Sequence, residues 1–189
     1  AGTGTPVNQV GLEYNNYGLL TKDAQSHAGA VSGGTPAVLY TYAGTSTSNS
    51  VRRTKITGHA STGYDYGATG GINDRLSRVE SVVDSNDGSV TAEYTYIGTG
   101  SAVRLDYGEP QVMLDLWGGT SGQFDGVDRF GRVIDQRWKS YGGSPTDLDR
   151  YQYGYDRNSN RLWKQNMVAT TGFDEQYAVD NLNRLGQMK

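Results

Sequence analysis

Tyrosines at alternate positions, followed directly by a run of turn-forming residues, occur in the C-terminal third of the chain. Tyr151, Tyr153 and Tyr155 lie two residues apart, and in an extended strand this spacing places their rings on one face. Residues 156–160 are Asp-Arg-Asn-Ser-Asn, which favour tight turns and tolerate the left-handed backbone conformation. Extended-type residues resume at Arg161. The segment therefore predicts a β-hairpin.

The same order of residues recurs along the chain. An aromatic or aliphatic residue precedes Asp, two or three residues follow, and then come Asn or Gly, Arg and an aliphatic residue, at 124–133 and again at 177–185. Looser versions occur upstream. The seven equivalent positions are Tyr14, Tyr42, Tyr66, Tyr96, Val127, Tyr155 and Val179. Their spacing runs from 24 residues (Tyr42 to Tyr66) to 31 residues (Tyr96 to Val127), which predicts a fold assembled from repeated units.

This motif, approximately Tyr-x-Tyr-Asp-x-x-Gly/Asn-Arg-Leu, resembles the YD repeat, also called the Rhs repeat, of large secreted and cell-surface proteins. The match is strongest between Val127 and Leu185. Upstream it loosens, since Tyr42 and Tyr96 are not followed by Asp. The resemblance implies a spiralling sheet of hairpins, which in full-length members builds hollow shells around toxin polypeptides or forms adhesion modules. The family's Asp-rich self-cleaving core has no counterpart in this sequence, so its protease activity is not expected.

The composition favours strands and turns over helices. The 189 residues include 27 Gly and 14 Tyr; Gly destabilises helices, and Tyr is favoured in strands. One hairpin cannot bury its own apolar face, so neighbouring repeats must pack against each other. We therefore expect an all-β fold in which antiparallel β-hairpin repeats, about seven in number, stack into a twisted, curled sheet as a single domain over residues 1–189.

Composition also excludes several classes of function. The chain has no Cys, which excludes disulfides and thiolate sites, and no apolar run approaches about 18 residues, so no membrane span is expected. A net charge of −3 argues against nucleic acid as a partner. The first residue is not Met, so we expect a fragment of a larger secreted protein, located extracellularly or at the cell surface, whose partners include the rest of that parent chain.

Catalytic and metal-binding patterns are weak. The two histidines, His27 and His59, lie in Gly- and Ser-rich loops without the spacing of a helical zinc site. Asp84–Gly88 has the alternating oxygen ligands of a calcium loop, but its Gly comes one residue early. A turn is the favoured interpretation, and calcium near Asp84 stays open. We expect a non-enzymatic protein with no cofactor and no metal, although a pair of carboxylates for glycoside cleavage is not excluded.

Aromatic side chains are the candidate ligand-binding residues. An aromatic ring exposed on a flat β-sheet stacks on the apolar C–H face of a sugar, but Trp equally often closes a core. The candidates are Trp117, Trp138, Trp163, Tyr141, Tyr153 and Tyr155. The first hypothesis is a polysaccharide-binding and scaffolding module. The alternative is a purely structural wall segment of a toxin-encapsulating or wall-associated shell, and a glycoside-cleaving enzyme is a distant third.

A repeated arginine follows the predicted turns. It occurs at positions 75, 132, 161 and 184, where its guanidinium can lie over a Tyr ring or pair with the motif Asp. We interpret Asp156–Arg161 and Asp180–Arg184 as structural pairs that fix the turn geometry.

Overall fold

The computed structural model describes residues 4–44, 50–118, 124–169, 172 and 174–189. The chain divides into two compact units, residues 1–91 and 92–189. In the described part of the first unit, the elements are β1 (Gln9–Tyr14), β2 (Leu20–Ser26), β3 (Ala37–Gly44), β4 (Val51–Thr57), β5 (Ser61–Asp65), α1 (Ile72–Arg75) and β6 (Ser81–Asp84).

Strand β7 (Val90–Ile97) belongs mostly to the second unit. The remaining described elements of that unit are β8 (Ser101–Tyr107), β9 (Val112–Asp115), β10 (Asp135–Ser140), β11 (Asp147–Tyr155), β12 (Arg161–Asn166), β13 (Glu175–Val179) and β14 (Leu185–Met188). Within each unit the strands follow one another across the sheet in chain order, and paired strands run antiparallel. The predicted all-β class, with antiparallel hairpins stacked side by side, is confirmed.

Five hairpins carry a β-bulge near the turn, at equivalent positions of the repeat. In each, the second strand has one more residue than the first, and one to three residue pairs lie between the register shift and the turn. The first-strand residues at this shift are Tyr14, Tyr42, Tyr96, Tyr155 and Val179. These are five of the seven repeat positions identified in the sequence. A bulge re-aims the side chains beside it, so the repeat marks a defined structural position.

The other two repeat positions depart from this pattern. Val127 forms an isolated antiparallel bridge with Val133 across the turn 128–132. Tyr66 follows β5 and precedes a Gly-rich insertion that contains α1. Arg75 is the last residue of α1, so its interpretation as a residue that follows a hairpin turn is wrong. Within the insertion, Gly70 and Gly71 precede Ile72, and Ile72–Arg75 form a single helical turn.

The buried core is small. The buried apolar side chains of the described residues are Ala24, Tyr66, Ala92, Val103, Met113 and Leu116. Three carboxylates, those of Asp74, Asp115 and Asp135, are also buried, and each is paired with a cation. With few large apolar residues inside, the fold depends on cross-strand pairs and on polar contacts between neighbouring hairpins.

Candidate functional site

Four hairpin turns share one hydrogen-bond pattern, and we call them the capped turns: residues 15–19, 128–132, 156–160 and 180–184. In the turn 156–160, Oδ1 of Asp156 accepts the backbone N–H groups of Asn158 and Asn160, both at 2.8 Å. The equivalent oxygens of Asn15, Asp128 and Asp180 accept the same two N–H groups. Each first residue therefore satisfies two otherwise free backbone donors.

The fourth residue of every capped turn is left-handed, with φ between +59° and +76°. Gly18 and Gly131 adopt this conformation without cost. Ser159 and Asn183 adopt it as well, and Asn is among the residues that tolerate it best. The pattern of Asp or Asn followed three residues later by Gly, Asn or Ser therefore has a backbone cause.

The second carboxylate oxygen binds the side chain of the fifth residue. Arg132 Nε donates to Asp128 Oδ2 at 2.7 Å, and Arg184 Nε donates to Asp180 Oδ2 at 2.7 Å. The predicted Asp180–Arg184 pair is confirmed.

The predicted Asp156–Arg161 pair is wrong. Asn160, the fifth residue of that turn, donates to Asp156 Oδ2 at 2.8 Å. Arg161 comes one residue later, and its guanidinium lies 4.5 Å from the ring centroid of Tyr153. The fifth residue of the turn therefore reaches the carboxylate, and the arginine that follows it does not.

These contacts favour the ionised carboxylates. The hydrogen bond from Arg184 lowers the pKa of Asp180, and the hydrogen bond from the Asn160 amide lowers the pKa of Asp156. For Asp128, burial acts to raise the pKa, but the hydrogen bonds from Arg132 outweigh it and the pKa is lowered. The folded state therefore stabilises the charged form of all three carboxylates.

Arg132 also connects its own turn to the next hairpin. Its Nη1 donates to the carbonyl oxygen of Asp156 at 3.0 Å, and its guanidinium lies 4.8 Å from the ring centroid of Tyr155. The Tyr155 hydroxyl in turn donates to the carbonyl oxygen of Val133 at 2.8 Å. We call this set of three contacts the arginine clasp. It joins two consecutive hairpins through a cation–π contact and two hydrogen bonds.

The first unit contains the same clasp. Arg52 Nη1 donates to the carbonyl oxygen of Asp74 at 2.7 Å, and the guanidinium lies 4.1 Å from the ring centroid of Tyr66. The Tyr66 hydroxyl donates to the carbonyl oxygen of Arg53 at 2.7 Å. Here Arg52 Nη2 also pairs with the Asp74 carboxylate. Tyr66 and Asp74 therefore occupy the places of Tyr155 and Asp156, despite the insertion between them.

Two further contacts extend this arrangement. Tyr42 donates its hydroxyl to the carbonyl oxygen of Leu20 at 2.9 Å, which reproduces the tyrosine half of the clasp next to a turn that ends in Leu19. Asn160 Nδ2 donates to Asn183 Oδ1 at 2.8 Å. The capped turns 128–132, 156–160 and 180–184 are thus linked in series, and we call these three the turn ladder.

Five of the predicted ligand-binding aromatics contact other residues of the second unit. Trp138 stacks on Tyr107 with 6.5 Å between ring centroids, and the Tyr141 hydroxyl donates to the Tyr107 carbonyl oxygen. Trp117 packs against Phe124 at 5.7 Å. The Tyr153 hydroxyl donates to Gln136 at 3.0 Å. Tyr155 belongs to the arginine clasp.

Trp163 has a different environment. It pairs with Gly154 of β11, and a Cβ added to Gly154 would overlap the indole ring. The indole therefore lies against the glycine backbone, and the Trp163 residue is 38% exposed. Register places Trp163 on the sheet face opposite Tyr153, because Tyr153 pairs with Lys164 and successive residues of a strand point to opposite faces. The six predicted residues do not converge on one site: Trp138 and Tyr141 meet at Tyr107, and Trp163 and Tyr153 lie on opposite sheet faces.

Other candidate sites are occupied by structural contacts. Asp84 Oδ1 accepts the N–H of Asn86 at 2.8 Å in a turn. Buried Asp135 accepts two hydrogen bonds from Arg150; burial acts to raise its pKa, but these bonds dominate and lower it. Among the described residues, no group of three or more His, Asp or Glu has the arrangement of a metal site. No described helix is long and apolar enough to cross a membrane.

An open apolar cavity of about 520 Å³ lies within the second unit. Its apolar lining includes Ile97, Val103, Leu116, Phe124, Val127 and Val133. Of the charged residues that line it, Asp128 is engaged in its capped turn and Arg129 lies 4.8 Å from the Phe130 ring centroid. The cavity offers packing surface rather than an arrangement of acid and base.

The clasp of the first unit was missed by sequence reasoning. The sequence did contain a signal for it, namely an arginine downstream of a repeat position. Arg52 follows Tyr42 in this way, as Arg132 follows Val127. The partners of Arg52, however, lie beyond an insertion of unpredictable length.

Comparison with known proteins identifies a fold and not a family. No family model matches the chain, and no curated protein matches it. Solved structures do match. One is the crystal structure of TcdB2-TccC3, with a TM-score of 0.62 and 15% sequence identity, covering 91% of this chain and 9% of that one. The chain thus spans about a tenth of the length of this neighbour, and its β-hairpin architecture also occurs in TcdB2-TccC3.

Proposed function

We propose that this chain is a structural wall segment of a large YD-repeat protein, in which stacked hairpins form a continuous, non-enzymatic wall. The observation that carries the proposal is the arginine clasp, which joins one hairpin to the next in both units. The architecture shared with TcdB2-TccC3 over 91% of the chain supports a role within a much longer chain. On this proposal the segment is extracellular or at the cell surface, as part of a shell of the kind that encloses a toxin polypeptide.

The environment of the aromatic residues also supports a wall. Trp138, Tyr141, Tyr153 and Tyr155 use their rings or hydroxyls for contacts within the second unit. A platform for sugar stacking needs rings that are free on one face. The Arg161 guanidinium instead lies 4.5 Å from the Tyr153 ring centroid, and that of Arg132 lies 4.8 Å from the Tyr155 ring centroid. Packing between hairpins therefore explains the positions of these aromatic side chains without a ligand.

Hydrogen exchange tests the wall function directly. If the clasp couples consecutive hairpins, Arg132→Ala should raise exchange in β11 and β12 as well as in its own turn, because the Asp156 carbonyl and the Tyr155 ring lose their partner. Arg157→Ala is the matched control, since Arg157 lies in the turn ladder on an exposed position. Exchange that increases only within residues 128–132 would contradict coupling between hairpins.

A second candidate function, polysaccharide binding, rests on Trp163. One face of its indole covers Gly154, and the residue is 38% exposed, which is suitable for stacking on a sugar ring. Affinity electrophoresis in gels containing soluble polysaccharides is the measurement, with Trp163→Ala as the test variant and Trp138→Ala as the comparison. The wall proposal expects no retardation by any polysaccharide. Retardation that Trp163→Ala abolishes and Trp138→Ala preserves would establish the binding function instead.

A further inference from the structure

A second open cavity of the second unit lies at the first two turns of the turn ladder. Its volume is about 830 Å³, and its lining includes Arg129, Phe130, Arg132, Arg157 and Ser159. We call it the arginine pocket. Three arginines meet here although the chain as a whole carries a net charge of −3, so the pocket differs in charge from the chain around it.

The two carboxylates of these turns are already engaged. Asp128 Oδ2 binds Nε and Nη2 of Arg132 at 2.7 Å and 2.6 Å, and its Oδ1 accepts two backbone N–H groups. Asp156 accepts hydrogen bonds at both carboxylate oxygens within its own turn. Among the ion pairs of the described residues, none includes Arg129 or Arg157. Both of these arginines are exposed, so their charges are available to a ligand.

The capped turns do not require arginine at these two positions. Arg129 and Arg157 are each the second residue of a capped turn, whereas the cap hydrogen bonds join the first residue to the third and fifth. The equivalent residues of the other two capped turns are Asn16 and Asn181, and those turns form the same cap. Turn formation therefore does not explain the two arginines.

Phe130 gives the arginine pocket an exposed apolar surface. Phe130 is 67% exposed, and the guanidiniums of Arg129 and Arg132 lie 4.8 Å and 5.2 Å from its ring centroid. The Ser159 hydroxyl oxygen accepts a hydrogen bond from Arg132 Nη1 at 3.2 Å, which leaves its own hydrogen for donation. The free groups of the pocket are thus donors and an aromatic ring, and they match a ligand with anionic acceptors and an apolar group.

We propose that the arginine pocket binds an acidic segment of another polypeptide. Two of its carboxylates pair with Arg129 and Arg157, and an apolar side chain covers Phe130. Guanidinium binds carboxylate through two parallel hydrogen bonds, and arginine and aromatic residues are enriched among those that dominate protein interfaces. A small oxyanion bridging the two arginines would leave Phe130 uncovered, which favours a peptide. The inference goes beyond the proposed wall function and does not rest on it, because it concerns only the surface of two turns.

An NMR titration of the isotope-labelled chain tests the proposal. The probe is the acetylated and amidated pentapeptide Glu-Ser-Leu-Ser-Glu, whose Glu and Leu side chains share one face when it is extended. The backbone N–H signals of the turns 128–132 and 156–160 should shift, together with the side-chain Nε–H signals of Arg129 and Arg157. Replacing both Glu of the peptide by Gln should weaken binding about tenfold, and replacing Leu by Ser about threefold.

Variants of the chain identify the residues that bind the peptide. Arg129→Ala and Arg157→Ala should each raise the dissociation constant about threefold, and the double variant about tenfold. Phe130→Ala should raise it about threefold. The matched controls are Arg75→Ala, at an exposed arginine of the first unit, and Leu182→Ala, at the exposed third residue of another capped turn. Both controls should bind like wild type.

The substituted residues are exposed, so each variant should keep the wild-type pattern of backbone signals away from the substitution. Absence of shifts in the two turns, equal binding of the Gln peptide, or unchanged binding by the double arginine variant would overturn the proposal. Inorganic sulfate that bound as tightly as the peptide would identify a site for small anions instead. Equal affinity for polygalacturonate would identify a site for acidic polysaccharides, and either result would also overturn the proposal.

Discussion

The two arginine clasps differ in what the motif carboxylate does. In the second unit, Asp156 gives only its carbonyl oxygen to Arg132, while its carboxylate caps its own turn. In the first unit, Asp74 gives Arg52 both its carbonyl oxygen and its carboxylate, and it is 2% exposed. The arginine, the tyrosine and the carbonyl are thus common to both clasps. The carboxylate is the variable part of the motif.

Asp74→Ala should produce the largest effect. It leaves the buried guanidinium of Arg52 without its counter-charge, and removal of one partner of a buried pair typically costs about 3–5 kcal/mol. Asp156→Ala removes a turn cap near the surface and should have a much smaller effect. Urea unfolding should resolve the two units, because all three Trp lie in the second and their fluorescence follows that unit. Far-UV circular dichroism reports on the first unit as well. Equal losses in the free energy of unfolding for Asp74→Ala and Asp156→Ala would show that the carboxylate has the same importance in both clasps.

Replacing the clasp arginine by lysine should have the next largest effect. Lysine keeps the charge but lacks the planar fork that stacks on tyrosine while it donates to a carbonyl. Arg132→Lys should therefore lower the free energy of unfolding of the second unit by about 1–2 kcal/mol. Arg52→Lys should cost more, because Arg52 also pairs with the Asp74 carboxylate. Arg157→Lys serves as the control and should stay within about 0.5 kcal/mol of wild type.

Removing the tyrosine hydroxyl should have a smaller and similar effect in both clasps. Tyr155→Phe and Tyr66→Phe each delete one hydrogen bond to a carbonyl, and we expect a loss of about 1 kcal/mol in each unit. Tyr17→Phe is the matched control, because Tyr17 is 75% exposed. If only one of the two variants were destabilised, the clasps would not be equivalent at this contact.

The smallest effect is a difference in acid sensitivity between the units. The pKa values of Asp128, Asp156 and Asp180 are lowered in the folded state, so their contribution to stability is complete above the unfolded value of about 3.9. That contribution is lost as the pH falls through the lowered pKa values. The capped turn of the first unit begins with Asn15, which does not titrate.

Thermal unfolding of the second unit, followed by Trp fluorescence between about pH 5 and pH 2.5, measures this dependence. Asp156→Asn should make the dependence on pH shallower, since Asn keeps the turn cap, as Asn15 does, and removes one titrating group. An unchanged acid dependence in this variant would show that Asp156 does not contribute to it.

The local part of the fold could be predicted from the sequence. Alternation of Tyr153 and Tyr155 with the turn residues that follow gives the hairpin, and the turn chemistry of Asp180 gives its pairing with Arg184. The prediction that Arg161 pairs with Asp156 was wrong by one residue. The turn ends at Asn160, and the bulge that follows places Arg161 beside Tyr153 instead.

Contacts between hairpins could not be predicted in the same way. Arg132 and Asp156 are 24 residues apart, and Arg52 and Asp74 are 22 apart, so their approach depends on the register of several strands. The environments of Trp138 and Trp163 also depend on that register, since one stacks on Tyr107 and the other lies on Gly154. Residue type alone gave no indication of this difference.

The insertion in the first unit has a practical consequence for engineering. Tyr66 and Asp74 hold both ends of the intervening segment in the clasp of Arg52, whereas Tyr155 and Asp156 make the equivalent contacts as adjacent residues. The same anchoring therefore tolerates very different loop lengths. A peptide epitope grafted between residues 155 and 156, with the eight-position offset from Tyr66 to Asp74 as its template, would be displayed from a fixed base at a hairpin end.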